Sequence, residues 1–410
     1  MQSQGWLGGC HVIVGVSGSV ACYRACDLVR DLRGLGATVR AAPTRAAQAF
    51  VTPLLLEALS GTPCLTSALD LDQGRIPHVE EAYRASVVVV APASADILAK
   101  MAAGFADEAI LSLLLSFAGP VVVAPAMETH MWLHPATQAN VAQLQSRGVV
   151  FVGPVEGPLA SGRTGSGRLA PLEDIVEAVV ACAVEKDLSG IRAVVTAGPT
   201  VEAIDPVRSI TNRSSGRMGV AVARAMALRG ARVTLVHGPL RQPPSKTPGL
   251  VTVAVRSAAE MAGATFAAVD AGCDVAVLAA AVADYTPARV APSKIKKAVA
   301  PTALELVRTT DILATLGARP VRPLLVGFAA ETERVEEAAA EKRARKACAL
   351  VVGNDVSGAD ADAGFDVDTN RVFLARDPAL GPSEWLPLLS KDDVAWRLAD
   401  ELRALLRRSR

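Results

Sequence analysis

The chain has 410 residues, a net charge of +1, 51% hydrophobic and 20% charged residues. That length is too great for one ordinary core, so two domains are expected. The near-neutral charge excludes a global field that recruits nucleic acid or a membrane surface.

The seven cysteines are scattered and form no C-x-x-C pair, which fits a reduced, cytoplasmic protein. No cationic segment followed by a long apolar one opens the chain, so no signal peptide is expected. The long apolar run 109–126 is broken by Gly119-Pro120 and follows Asp107-Glu108. It reads as a buried helix and then a buried strand, not a membrane span.

In the first half, β-branched runs at 11–16, 87–91, 121–124 and 149–152 read as parallel strands buried on both faces. Helical spacing fills 20–35, 95–103, 107–117 and 137–147. This alternation predicts right-handed βαβ units in a doubly wound sheet, with ligands at the carboxyl ends of strands. Those ends carry Gly15-Val16-Ser17-Gly18-Ser19, Ala91-Pro92-Ala93-Ser94-Ala95-Asp96, Pro125-Ala126-Met127-Glu128 and a glycine-rich loop from Ser161 to Leu169. Glycines and hydroxyls before a helix suit a phosphate, although many α/β turns share that composition.

An amphipathic helix at 172–184 and a short polar joint divide the chain into domains 1–188 and 189–410. The second domain has strand candidates at 191–196, 232–236, 251–255, 274–279, 324–328 and 350–353. Helices are expected at 220–229, 257–272 and 335–347, and a hairpin over 364–375 around Asp368-Thr369-Asn370. Ser390 is placed to cap a final helix, whose Arg403, Arg407, Arg408 and Arg410 read as a solvated end. The fold class is therefore α/β, with two doubly wound, Rossmann-like parallel-sheet domains and an appended hairpin.

The longest loop of the second domain, 196–219, contains T-A-G-P-T, D-P-V-R and T-N-R-S-S-G-R-M-G. It leads from a strand into a helix, where backbone N–H groups can hold an anion. Later strand ends carry A-A-A-V-A-D-Y (279–285), P-S-K-I-K-K (292–297), G-F-A-A-E-T (327–332) and G-N-D-V-S (353–357). The lysines suit a polyphosphate or are a solvated cluster. Phe328 stacks a base or fills core, and Asn354-Asp355 can be turn chemistry. Walker A and G-x-G-x-x-G motifs are absent, as is any metal-spaced His/Cys set. The usual ATPase and nicotinamide dehydrogenase readings therefore lack their motifs, and no metal ligands are assigned.

Residues 10–185 resemble the flavin-dependent cysteine decarboxylase family. The resemblance rests on the loop at 15–19, T-R-A-A-Q-A-F-V-T-P (44–53), His78, A-P-A-S-A-D, P-A-M-E and the loop at 161–169. It implies FMN with its phosphate at Ser17, Gly18, Ser19 and Thr44 and its ring near Ser94, Ala95 and Asp96. It also implies that His78 assists substrate oxidation, that positions 128 and 168 meet the substrate, and that position 161 returns a proton. Two residues depart from the family pattern. Glu128 stands where the family has Asn, and an ionised Glu only accepts hydrogen bonds. Ser161 stands where it has the acidic Cys, and a hydroxyl is the weaker acid. A flavin site is expected, with decarboxylase activity intact, impaired, or lost to a flavin-binding scaffold role.

Residues 190–405 resemble phosphopantothenate–cysteine ligase through the motifs above together with K-R-x-R-K (342–346). The whole chain resembles the bacterial bifunctional coenzyme A biosynthesis family. The implied substrates are 4'-phosphopantothenate, cysteine and CTP, joined through an acyl-cytidylate, with Mg2+ carried by CTP. Lys294, Lys342, Lys346, Ala280, Asp284, Thr310, Asp311, Ile312, Leu313, Arg168 and Phe328 are the implied substrate and nucleotide contacts. Of these, Arg168 belongs, with Glu128, to the decarboxylase half. Lys294 also stabilises the phosphoryl transfer, and Asn212 serves the second half-reaction. The family implies a homo-oligomer up to a dodecamer, with no nucleic-acid or membrane partner.

Overall fold

Four consecutive valines, 87–90, lie at the centre of the first sheet, each with at most 1% of its surface exposed. The computed structural model describes residues 5–69, 74–244, 247–296, 303–356 and 369–408. It comprises two units, Met1–Val184 and Glu185–Arg410.

In the first unit, strands β1 (His11–Val16), β2 (Thr38–Pro43), β3 (Val87–Ala93), β4 (Val121–Pro125) and β5 (Val150–Phe151) form one parallel sheet. Its order is β2-β1-β3-β4-β5, the flavodoxin-like arrangement. β1 and β3 are buried along their whole length, which explains their unbroken apolar runs. The helices are α1 (Arg24–Gly34), α2 (Arg45–Gln48), α3 (Pro53–Ser60), α4 (Pro77–Arg84), α5 (Ala95–Ala103), α6 (Ala109–Ser116), α7 (Thr129–Leu133), α8 (Pro135–Ser146) and α9 (Leu172–Ala183). A small antiparallel hairpin, β6 (Val155–Pro158) and β7 (Thr164–Arg168), precedes α9.

The apolar run 109–126 is α6 followed by β4, as expected. The helix expected over 20–35 is divided: a 3-10 turn, Val20–Tyr23, precedes α1. The strand expected over 149–152 shrinks to two residues at the sheet edge, where Val150 is exposed. β2 was not expected, because Arg40 interrupts its apolar pattern. Its guanidinium crosses to buried Glu81 on α4 at 2.9 Å. Glu81 also meets His11 Nε2 at 2.5 Å and Arg84 at 3.3 Å. Burial pushes the Glu81 pKa up, but hydrogen bonding and charge from His11 and Arg40 outweigh it and hold the carboxyl below its ordinary value.

The second unit is built on β8 (Arg192–Ala197), β11 (Arg232–His237), β12 (Leu250–Ala254), β13 (Val275–Leu278), β16 (Leu324–Glu331) and β17 (Leu350–Asp355). These six pair in parallel in the order β12-β11-β8-β13-β16-β17. Two of these strands lie on one side of β8 and three on the other, as in dinucleotide-binding folds. Helices α10 (Arg217–Leu228), α11 (Ala258–Asp270), α12 (Ile312–Gly317), α13 (Val335–Arg345) and α14 (Lys391–Arg408) accompany them. Two ribbons, β9 (Val201–Ala203) with β10 (Ser209–Thr211) and β14 (Tyr285–Pro287) with β15 (Leu306–Arg308), stand apart from the sheet.

The expected hairpin takes a different form. β19 (Val372–Arg376) joins the main sheet antiparallel to β17 and pairs onward with β20 (Glu384–Trp385). Thr369–Asn370, expected at the turn, form β18 and pair with β21 (Leu389–Ser390). Residues 364–368 lie outside the described residues, as do Ser357 and Lys297 of the motifs and Arg410.

Sequence-encoded caps hold the helices. Ser257 and Glu260 make a reciprocal capping box on α11, and Ser390 Oγ accepts from Asp393 N at 3.0 Å at the start of α14. The apolar face of α14, including Leu398 and Leu402, closes the same core as Val222 and Met226 of α10. Arg229, at the end of α10, is nearly buried and reaches Asp187 at 2.6 Å and Asp400 at 2.7 Å. Arg403, expected to be solvated, pairs with Asp187 at 3.1 Å. Arg408, expected likewise, donates to the Leu380 carbonyl at 2.7 Å. Among the described residues no helix is long and apolar enough to cross a membrane.

Candidate active sites

In the second unit the chain reverses direction around β8 and β13, and the loops that leave their carboxyl ends part there. Such a crevice is where open α/β sheets place ligands. Small side chains and two threonines tie the crevice walls together. Thr196 Oγ1 accepts from Ala280 N at 3.2 Å, and Thr200 Oγ1 accepts from Ala283 N at 3.0 Å. Gly216 N-caps α10 with φ 73°. A Cβ there would lie 2.2 Å from Leu240 Cδ2 and 3.0 Å from Gly198 Cα, so only glycine fits this turn.

The D-P-V-R motif is held by its aspartate. Asp205 accepts from Val207 N and Arg208 N, both at 2.8 Å, and from Ile295 N at 3.1 Å. Burial alone pushes the Asp205 pKa up, but these amides outweigh it and hold the carboxyl below its usual value. Ile295 lies inside the P-S-K-I-K-K segment, so one carboxylate joins two motifs distant in sequence.

A cavity of ≈ 470 Å³ opens beside β13. Ala280, Asp284, Thr310, Asp311, Ile312, Leu313, Phe328, Lys342 and Lys346, all implied by the resemblance, line it together. Asp311 N-caps α12, accepting from Ala314 N at 2.8 Å, and its other oxygen pairs with Lys346. Lys342 Nζ donates to the Phe328 carbonyl at 2.5 Å. Burial pushes the Lys342 pKa below its ordinary value against the pull of Glu331 and Asp311.

Asn212 does not line the cavity, but its Nδ2 donates to the carbonyl of the lining residue Val282 at 3.1 Å and to Ala281 O at 3.4 Å. Lys294 is not brought into the cavity. It is exposed, in the segment anchored through Ile295 to Asp205. Tyr285, Arg308 and Arg345 line the cavity without having been expected. Arg345 had a signal: it follows Lys342 by three positions and shares its helix face. Arg308 had none, since it closes a three-residue ribbon with no periodicity.

In the first unit, the implied flavin loop is locked by hydroxyls. Buried Ser17 donates to Pro92 O at 2.7 Å and accepts from Ser94 N at 2.8 Å. Ser19 donates to Ala126 O at 3.0 Å. Thr44 caps α2, accepting from Ala47 N at 3.2 Å, and Ser94 caps α5, accepting from Ile97 N at 3.4 Å. A Cβ on Gly18 would lie 2.5 Å from Ala46 Cβ, so this loop packs against α2 only as glycine. Asp96 faces outward and pairs with Lys100 at 3.4 Å, one residue beyond Ala95, the first residue of α5.

A cavity of ≈ 870 Å³ is lined by Ser19, Tyr23, Arg24, Met127, Glu128, Ser161 and Arg168 among others. Both departures from the decarboxylase pattern therefore face one space. Glu128 is also the N-cap of α7, accepting from His130 N at 2.6 Å. His78 is not among the residues lining this cavity. It lies in the first turn of α4, and its Nδ1 is buried without a hydrogen-bond partner among the described residues.

The flavoprotein family model matches residues 2–184. The model for the C-terminal domain of DNA/pantothenate metabolism flavoproteins matches residues 188–406. The coenzyme A biosynthesis bifunctional protein CoaBC of Bacillus subtilis (strain 168) is 42% identical over 96% of this chain and 97% of its own. That of Escherichia coli (strain K12) is 43% identical over 97% of each chain. The solved C-terminal domain of a CoaBC protein is 39% identical, covers 55% of this chain and 100% of its own, and superposes with a TM-score of 0.46. With both halves matched in order and nearly the whole length shared, the chain belongs to the coenzyme A biosynthesis bifunctional protein CoaBC family.

Proposed function

We propose that the chain catalyses two steps of coenzyme A biosynthesis. The second unit ligates 4'-phosphopantothenate to cysteine with CTP, and the first decarboxylates the product. The observation that carries the ligase reading is the cavity at the strand crossover, which gathers Phe328, Lys342, Asp311 and Lys346, with Asn212 bonded to its lining residue Val282.

Amide formation from a carboxylate requires a leaving group. A carboxylate oxygen of phosphopantothenate attacks the α-phosphorus of CTP, the bond to the β-phosphate oxygen breaks, and pyrophosphate departs. The cysteine amine then attacks the acyl carbon, CMP leaves with the bonding pair, and the amine loses a proton. The protein's share is positioning and charge neutralisation. Phe328 and the small residues that follow β13 form the apolar wall for the base, and Lys342 and Lys346 offset phosphate charge. The Asn212 amide holds the acyl group for the second step. Lys294 acts from the segment anchored on Asp205. Mg2+ enters with CTP, held mainly by phosphate oxygens and water.

In the first unit the residues fit FMN. Gly18 permits close loop packing, the capped starts of α2 and α5 present N–H groups beside it, and the adjoining cavity has the volume of a cofactor site. Ser17, Gly18, Ser19 and Thr44 would hold the phosphate, with Ser94, Ala95 and Asp96 near the ring. FMN, when bound, supplies the two-electron oxidation of the cysteine thiol that lets the carboxylate leave as CO2. His78 assists that oxidation, and Arg168 meets the substrate.

A second reading has a specific observation behind it. Glu128 caps a helix as an acceptor, Ser161 replaces a thiol acid, and no cysteine is among the described residues that line the cavity. On this reading the ligase is active while the decarboxylase half is impaired or serves as a flavin scaffold. One assay separates the two: CTP, cysteine and 4'-phosphopantothenate are supplied, and pyrophosphate, phosphopantothenoylcysteine, CO2 and phosphopantetheine are each measured. Absence of CTP-dependent ligation would overturn the proposal, and ligation without CO2 would select the second reading. A cytoplasmic homo-oligomer is the setting we assign to both activities.

A further inference from the structure

The cavity beside β13 holds four basic side chains, and they are not equivalent. Lys346 is already paired with Asp311, and Lys342 is buried and donates to the Phe328 carbonyl at 2.5 Å. Both lysines are therefore partly satisfied by the protein before any ligand arrives. Arg308 and Arg345 line the same cavity, are exposed, and have no ion pair among the described residues.

They also approach from different elements. Arg345 ends α13, three positions from Lys342, while Arg308 ends β15. The Arg308 strand is fastened at the cavity mouth: it pairs with Tyr285 in β14, and the next residue, Thr309, donates from N to Asp284 O at 2.9 Å and from Oγ1 to Ala283 O at 2.6 Å. An arginine offers a planar fork of donors that meets phosphate oxygens in pairs, whereas a lysine is a mobile point charge. Lys294, the cation expected from sequence, does not line this space.

We propose that Arg308 and Arg345 are the principal polyphosphate-binding residues of this cavity, gripping the β- and γ-phosphates of the nucleotide while Lys342 and Lys346, already partnered, offset charge nearer the α-phosphate. This rests on the nucleotide reading given above. Its consequence is a division of labour. The arginines discriminate a triphosphate from a monophosphate and stabilise departing pyrophosphate, and they add little to the binding of the nucleoside portion.

The test is calorimetric binding of CTP and of CMP, each with Mg2+, to the full-length protein and to Arg308→Gln, Arg345→Gln and the double variant. Arg397→Gln, on the exposed side of α14, is the control. We expect the double variant to lose about 100-fold in CTP affinity, equivalent to two good charge-assisted contacts, and less than about threefold in CMP affinity. Arg308→Lys should recover part of the loss. Equal losses for CTP and CMP, or an unchanged CTP affinity, would overturn the assignment while leaving the nucleotide site standing. Failure of the unaltered protein to bind CTP would overturn both. Identical thermal midpoints for Arg397→Gln and the double variant exclude misfolding as the cause of a loss.

Discussion

Asn212 Nδ2 donates to the carbonyl of Val282 at 3.1 Å, joining the long loop after β8 to the loop after β13. An ionised aspartate at 212 has no donor and would set an anionic oxygen against two carbonyl oxygens. Asn212→Asp should still release pyrophosphate from CTP, because the cavity residues are untouched. Transfer of the acyl group to cysteine should fall about 100-fold, the usual cost of removing one oriented donor from a reacting centre. Separate assays of pyrophosphate and of phosphopantothenoylcysteine read the two half-reactions; normal amide formation would refute the role.

Asp205→Ala removes the carboxylate that ties the D-P-V-R turn to Ile295. The P-S-K-I-K-K segment then loses its anchor, and with it the placement of Lys294. We expect kcat for ligation to fall roughly tenfold or more, with CTP affinity changed far less. A drop confined to CTP affinity would show that Lys294 binds nucleotide without taking part in the transfer.

Glu81→Gln leaves Arg40 and His11 without their shared carboxylate beneath the first sheet. The expected cost at neutral pH is about 3 kcal/mol, read by urea unfolding. Because the Glu81 pKa in the folded protein is held below its ordinary value, its contribution is complete above the unfolded pKa, about 4.3. The contribution disappears as pH falls through the lower, folded value. The gap between parent and variant should therefore close in acid; a gap that widened there would contradict the arrangement.

Gly18→Ala puts a methyl 2.5 Å from Ala46 Cβ, and neither backbone can yield without displacing the start of α2. We expect the purified parent protein to show flavin absorbance and the variant to lose most of it, while ligation in the second unit continues. Retention of full flavin content by the variant would remove the phosphate from this loop.

Ser161→Cys restores a thiol acid to the cavity that also holds Glu128. If proton return limits the first unit, phosphopantetheine formation should rise about 100-fold, the lower range for a positioned general acid. Glu128→Asn should lower KM for the acidic substrate by removing a like charge. No gain from the pair would mean that the parent already has a competent acid.

Most of the strands legible in the sequence were buried on both faces, with the half-exposed edge strand β12 an exception. Val87–Val90 and the run after Pro120 carried their own signal because no exposed position interrupts them. β2 was hidden because Arg40 sits inside it and is satisfied by Glu81, a partner only the folded chain supplies. The cavity was legible through motifs at strand ends, which parallel pairing places side by side. Arg308 was not legible, because a three-residue exposed ribbon has no period to read. The absence of Lys294 from the cavity was equally hidden, since it depends on where Asp205 fastens Ile295.

The four valines of β3 also set an order of events as the chain folds. β3 lies between β1, far upstream, and β4, much nearer along the chain. Closing the shorter connection costs less entropy, so β3 and β4 should associate before β1 locks onto them. Until then one edge of an uncharged valine run is unpaired, a segment prone to stick to other copies. The run that makes the centre of the sheet dry in the finished protein is thus the stretch most exposed to aggregation during its synthesis.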